Sequence, residues 1–302
     1  MLQTVKMPLD TSSVPLTVIA GPTASGKSAL ALEFADRLNG EIVSVDSMQL
    51  YRLLPIGTAQ PDETDKKRAV HHLVGIYELD QRAEVYTFTE LADRAIADII
   101  SRGKTPVLCG GTGLYLKSLL YGLDQLPGDE ALKKELDALY DSPQMLDELK
   151  NRLILSGDAA VVEKFGNNRR RLIRALEIRL LTRRSILDLQ SEIRPQLRYK
   201  LQDAIRLEHD RSVLQDRIAR RTVQMLKNGW IEEAEYAISH GLLTSPTAHQ
   251  ALGYKIIKRY LDGEITLAEL QDLIITATWQ YARRQQTWFR RQHPELAIRQ
   301  MS

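Results

Sequence analysis

Gly21-Pro-Thr-Ala-Ser-Gly26-Lys27-Ser28 follows the pattern G-x-x-x-x-G-K-[ST]. Glycines at its ends let backbone N–H groups turn inward around phosphate oxygens. A following helix would add the positive potential of its N-terminus, Lys27 a point charge and Ser28 a hydroxyl for Mg²⁺. The pattern identifies a phosphate and not its owner, because a nucleoside triphosphate and a small diphosphate present similar oxygens. Asp46 follows, in Asp46-Ser47-Met48-Gln49. A carboxylate there can ligate Mg²⁺ through water, act as a general base, or simply cap a turn. Farther on, Leu214, Ile218, Thr222 and Met225 form an apolar helical stripe, with Arg217 and Arg221 adjacent on its edge and Arg220 pointing away. Edge arginines can reach a pocket and offset the charge that grows on a departing phosphate oxygen, or can merely cover the core with their stems. No Asp, His and Ser arrangement reads as a hydrolase triad.

The elements that must position these groups are visible in the pattern. Leu16 to Ala20 is a β-rich run closed by Gly21, Ser28 to Leu38 has helical apolar spacing with a stop at Gly40, and Glu41 to Val45 reads as a second strand. The order recurs with a strand over Thr105 to Cys109, a glycine loop over Gly110 to Gly113 and a helix over Leu114 to Tyr121. Such alternation predicts an α/β fold, a P-loop NTPase-like parallel sheet with flanking helices. Asp46, at the carboxyl end of its strand, should then border the phosphate cradle. After Tyr121 the β signal disappears and the remainder reads as helical, with breaks at Pro127, Gly128, Pro143, Gly157, Gly166 and Pro195. The expected organisation is a flexible lead over 1–14, a catalytic core over 15–124 and 196–302, and a helical insertion domain over 125–195. Thr266 and Glu269 have capping-box spacing, with Ile265 and Leu270 as a hydrophobic staple, so a long helix should start there and run toward Arg291.

The 302 residues are 43% hydrophobic and 26% charged, which excludes disorder as the main state, and no apolar stretch approaches the roughly 18 residues of a membrane span. Cys109 is the only cysteine, so no internal disulfide or cysteine-rich zinc site is available. A reducing compartment, the cytoplasm, is expected, with Cys109 a small apolar residue of a buried strand. The net charge of +2 hides clustered arginines. Arg169 to Arg184 reads RRRLIRALEIRLLTRR, and Tyr281 to Arg299 carries five arginines against Glu295. Two local basic segments suggest a polyanion met by particular surfaces. Arg170, Arg171 and Arg174 share one helix side opposite Leu172, Leu176 and Leu180, which makes a backbone-facing basic stripe available.

Taken together, GPTASGKS, EIVSVDSMQLY, IGTAQP, HHLVGI, GGTGLYL, NNRRRLIRALEI, RIARRTVQML, ALGYK and YARRQQTWFR resemble, in order and spacing, the tRNA dimethylallyltransferases, also called tRNA isopentenyltransferases. The resemblance runs from Pro15 to Arg291, and DSMQ and ARRQQTWF are its most selective parts. It implies Mg²⁺-dependent transfer of a dimethylallyl group from dimethylallyl diphosphate to the exocyclic amine of the adenosine 3′-adjacent to the anticodon, in tRNAs reading codons that begin with U. It further implies that Gly21 and Thr23, Ala24, Ser25, Gly26, Lys27 and Ser28 cradle the donor's diphosphate, with Ser28 on Mg²⁺ and Asp46 as base. Arg217 matches the family's motif arginine best, with Arg221 as neighbour. Asp46, Ser47, Met48, Gln49, Thr112, Arg170, Arg171 and Arg174 correspond to stretches that contact tRNA. So do Ala282, Arg283, Arg284, Gln285, Gln286, Thr287, Trp288 and Phe289. Gln60 stands where the family usually has lysine, and the chain ends soon after Trp288 without the zinc finger of eukaryotic members, which points to the bacterial type. A monomer acting on the tRNA anticodon stem-loop, away from membranes, is expected. A P-loop kinase for a small metabolite is the alternative, as is an RNA-binding NTPase switch. The kinase explains the phosphate loop but neither arginine run.

Overall fold

In the computed structural model of the chain, residues 15–122, 126–193 and 196–301 are described. The lead over 1–14 and Pro195 lie outside them. The chain divides into two compact units, Met1–Gly122 with Leu197–Ser302, and Leu123–Gln196.

The first unit begins with β1 (Pro15–Ala20), α1 (Lys27–Leu38), β2 (Gly40–Val45), the short α2 (Glu63–Arg68), β3 (His71–His72), α3 (Val85–Ser101), β4 (Thr105–Gly110) and α4 (Gly113–Tyr121). In β1, Leu16 to Ala20 are buried without interruption, the pattern of a strand covered on both faces. Leu16, Val18 and Ala20 point into one core and Ile19 into the other. With side chains alternating along a strand, these two clusters are the two faces of the sheet. One is covered by α1 through Leu30, Ala31, Phe34 and Ala35, the other by α3 and α4 through Phe88, Ala92, Ile96, Leu116 and Leu119.

The second unit is helical throughout its described part: α5 (Glu130–Leu139), α6 (Leu146–Leu155), α7 (Ala159–Phe165), α8 (Arg169–Thr182) and α9 (Ile186–Glu192). They close on Tyr140, Leu149, Leu153, Val161, Leu172, Ile173 and Leu176. Leu180, assigned to the apolar side of α8, is instead 44% exposed.

The chain then returns to the first unit with β5 (Lys200–Glu208), α10 (Arg211–Lys227), α11 (Trp230–Ser239), α12 (Tyr254–Leu261), α13 (Leu267–Gln292) and β6 (Ala297–Gln300). The expectation that no strand follows Tyr121 is therefore wrong. Among the described residues the sheet has six strands, all parallel, in the order β3-β2-β4-β1-β5-β6. The strand β5 escaped notice because Lys-Leu-Gln-Asp-Ala-Ile-Arg-Leu-Glu carries four charges. Its first half pairs with β1 alone, and only Ile205 to Glu208 also meet β6, so the early polar residues reach solvent from an edge. The expected capping box at Thr266 and Glu269 opens α13, and Leu270 of its staple is fully buried. No helix among the described residues is long and apolar enough to cross a membrane.

Candidate active site

The phosphate loop leaves β1 at the carboxyl edge of the sheet and enters α1 at Lys27. Its carbonyls are gripped from outside. Lys27 Nζ donates to Pro22 O (3.2 Å), His209 Nε2 lies 2.8 Å from Ser25 O, and Arg217 Nε donates to Ala24 O (2.7 Å). Two of the loop's amides are spent within the protein: that of Ser25 donates to Pro22 O at 3.3 Å, and that of Thr23 to Gln285 Oε1 at 2.8 Å, with Gln285 Nε2 continuing to Gly111 O at 2.9 Å. Burial pulls the Lys27 ammonium below its ordinary pKa, with Asp46 and Arg221 as its charged neighbours.

Asp46 ends β2, two strands from the loop, because β4 lies between β2 and β1. At about 4.8 Å per strand that is a separation of roughly 10 Å, room for a reacting group between them. The intervening strand has to end without side chains. It does, in Gly110-Gly111: a Cβ on Gly110 would lie 2.1 Å from Val45 O, and one on Gly111 2.4 Å from Gln285 Nε2. The last side chain of β4 is Cys109, whose thiol burial pushes up to about 11, so it lines the cavity as a neutral, inert group. Asp46 accepts the Met48 amide at 3.0 Å. Burial raises its carboxyl pKa, and the Met48 amide, Lys27, the Gln49 amide and Arg221 pull the other way in that order. A carboxylate raised in this manner and facing two cations is poised as a base.

Arg221 lines the same cavity, donates to Thr23 Oγ1 at 3.2 Å and counts Asp46 as its charged partner. Arg217 sits on the outer side of the loop, close enough to Gly26 that a Cβ there would lie 3.1 Å from its guanidinium. Arg220 is exposed, away from the buried stripe of Leu214, Ile218 and Thr222. It lines that outer cleft with Arg217, Arg221 and Ser28.

The cavity, about 510 Å³, has a second wall that was only partly legible. Gly57, Thr58 and Ala59 of the IGTAQP loop, Trp230 and Met225, Gln250 and Leu252, and Tyr281 of α13 all face it. Glu233 holds that loop, accepting the amides of Ile56 and Gly57 and the Tyr254 hydroxyl, and burial raises its carboxyl pKa despite these donors. Gln60 donates to the carbonyls of Gln49 (3.1 Å) and Tyr51 (2.8 Å), a role two ammonium protons could also fill. The motifs IGTAQP and ALGYK were the signal for this wall; Trp230 and Glu233 lie in neither.

The residues expected to meet RNA separate into two sets. Ala282, Gln285 and Phe289 are buried in the first unit, on the inward face of an amphipathic helix, and of the three only Gln285 also lines the cavity. Gln49 spends its amide on Ser44, Thr58 and Ala59, and Thr112 takes the Ser47 amide. Arg174 is occupied within its own unit by the buried Glu177 at 2.7 Å and by Leu126 O. Arg170, Arg171, Arg283, Arg284 and Thr287 are exposed, with Ser47, Met48, Gln286 and Trp288 half-buried. Arg284 also lines the cavity, and Arg283 lines a separate groove with Arg211, Trp279, Gln286 and Arg290.

No group of three or more His, Cys, Asp or Glu that could hold a metal ion occurs among the described residues. Ser28 and Asp46 face one cavity beside the phosphate loop. This sparse oxygen set fits Mg²⁺, which takes one or two protein ligands and completes its shell with water and phosphate.

The family model described as IPP transferase matches residues 49–292, a span that begins after the phosphate loop. The chain is 41% identical over 280 residues to the tRNA dimethylallyltransferase of Acetivibrio thermocellus, covering 91% of this chain and 88% of that protein. It is 41% identical over 284 residues to that of Streptococcus pyogenes, covering 92% and 89%. Among solved structures it is similar to the tRNA isopentenylpyrophosphate transferase of Bacillus halodurans (37% identity, TM-score 0.68, 95% and 89% covered). It is also similar to a eukaryotic dimethylallyltransferase acting on tRNA (26% identity, TM-score 0.78, 95% and 74% covered).

Proposed function

The chain belongs to the IPP transferase family, and on that premise we propose that it transfers a dimethylallyl group from dimethylallyl diphosphate to N6 of the adenosine 3′-adjacent to the anticodon. Its acceptors are tRNAs that read codons beginning with U. The observation that carries this reading is Asp46, raised by burial and set across the glycine end of β4 from a phosphate loop backed by Lys27 and Arg221.

In this reaction Asp46 accepts a proton from the exocyclic amine as its nitrogen forms a bond to C1 of the donor. The C1–oxygen bond breaks, and diphosphate leaves with the electron pair. Lys27 and Arg221 face the charge that develops on the leaving oxygen, where fixed cations in a water-poor cavity act most strongly. Arg217 holds Ala24 and with it the shape of the loop. Mg²⁺, held by Ser28 and by Asp46 through water, would supply further charge neutralisation at the diphosphate. An adenine reaches Asp46 only after leaving its stack, so an unpaired anticodon loop in the cytoplasm is the natural acceptor. Arg170, Arg171, Arg283 and Arg284 are the residues proposed for RNA phosphates. All groups proposed for the chemistry lie in one unit of one chain, in keeping with a monomer.

The test is transfer to an anticodon stem-loop carrying the adenosine either in the loop or paired in the stem. Mass gain of one dimethylallyl group on the loop adenosine alone is expected, and calorimetry with Mg²⁺ should favour dimethylallyl diphosphate over ATP. Tight ATP binding with phosphoryl transfer to a small hydroxylated metabolite would replace this reading with a kinase.

A further inference from the structure

The cavity is polar at one end and apolar at the other, and the two ends are joined along one helix. Arg221 and Met225 are four residues apart on α10, one above the other on the same face, about 6 Å along the axis. Trp230 opens the next helix and closes that line. Its indole is 2% exposed and cannot swing aside. A Cβ on Gly57 would fall 2.2 Å from its Nε1, and one on Gly253 2.4 Å from its Cζ2. The Tyr254 ring meets it edge-on at 6.0 Å. Two glycines from distant loops therefore press on neighbouring atoms of one indole edge, Nε1 with Cε2 and Cζ2 with Cη2, and both belong to the second wall described above.

A donor with its phosphates at Thr23, Lys27 and Arg221 and its C1 near Asp46 would place its hydrocarbon along uncharged side chains of this wall, and Met225 leads that line from Arg221 toward Trp230. One dimethylallyl group fills the 6 Å. A second isoprene unit adds four chain bonds of about 1.5 Å each, nearly another helical turn, and that length is occupied by the indole. We propose that Trp230, packed against Gly57 and Gly253, is the wall that restricts the donor to five carbons and so determines which allylic diphosphate is used. The proposal rests on the dimethylallyl reading above and assigns Trp230 no part in the chemistry.

The experiment compares wild type, Trp230→Phe and Trp230→Ala with dimethylallyl and geranyl diphosphate on one anticodon stem-loop, reading the ratio of kcat/KM for the two donors. A cavity one ring deep should raise the geranyl-to-dimethylallyl ratio about tenfold or more in Trp230→Ala, the lower end of what one pocket contact discriminates, with a smaller rise in Trp230→Phe. A general loss of packing would lower both donors together and leave the ratio unmoved. Should Trp230→Ala fail to fold by circular dichroism, Trp230→Phe and Trp230→Leu carry the comparison. Wild type transferring neither donor removes the functional reading beneath. Wild type transferring dimethylallyl while folded variants keep the wild-type ratio, or change only the KM for RNA, overturns the wall.

Discussion

At the scale of single residues the proposed chemistry rests on Asp46 and its two neighbouring cations, Lys27 and Arg221. Asp46→Asn keeps the shape and the Met48 contact but removes the base, so single-turnover transfer should fall about 10²-fold or more with donor binding retained. Burial raises the Asp46 carboxyl, and only its ionised form can accept a proton. The rate should therefore drop on the acid side, and the drop should begin above the ordinary aspartate range near pH 4. Arg221→Ala withdraws a charge that favours the carboxylate, so it should move that acid limb to still higher pH. A pH–rate profile of both proteins checks the sign. Arg217 matches the family motif best, yet Arg221 touches the loop hydroxyl and faces Asp46 while Arg217 works from outside. Arg221→Ala is accordingly expected to lose more turnover than Arg217→Ala, with the larger loss on the order of 10²-fold.

At the scale of elements, what matters is how loops from distant parts of the chain are tied together. Gln285 of α13 bonds the phosphate loop at Thr23 and the β4 loop at Gly111, in a buried site. Gln285→Ala strands one donor and one acceptor, which should cost about 1–3 kcal/mol in thermal or urea unfolding and raise the KM for the diphosphate donor. Gln60 bridges the carbonyls of Gln49 and Tyr51 without contributing charge. A lysine reaches the same two acceptors, so Gln60→Lys should leave stability within about 0.5 kcal/mol and activity near wild type. A large loss of turnover would mean the position senses charge.

At the scale of the whole molecule, the proposed RNA contacts are dispersed arginines against a near-neutral background, a net charge of only +2. Arg170 and Arg171 in the helical unit and Arg283 and Arg284 in the sheet unit are exposed, and none of the four is ion-paired among the described residues. Neutralising Arg170 and Arg171 should weaken binding of an anticodon stem-loop and lower the salt slope by about one to two units, while donor binding stays intact. Arg174→Ala should behave differently, destabilising the helical unit by leaving the buried Glu177 without its cation. Equal salt slopes for the arginine variants and wild type would make these runs ordinary solvated faces.

The phosphate loop, Asp46 at a strand end, the parallel α/β order and the start of α13 were all legible in the sequence. Each rests on local rules: glycine spacing, apolar periodicity and capping chemistry act over a few residues and need no partner. The sequence alone also identified the family, because many short motifs in one order are hard to meet by chance. It did not show β5, where Lys200 and Asp203 lie in the half at a sheet edge and the buried Arg206 is paired with Glu208. Nor did it separate the arginines and glutamines that face outward from Arg174, Gln49 and Gln285, which are consumed inside. The packing against Trp230 was equally hidden, since Gly57 and Gly253 lie almost 200 residues apart and meet only across the folded cavity. Which side chains remain free for a ligand is decided by neighbours remote in the chain, and remote neighbours exist only once the sheet has brought its carboxyl ends together.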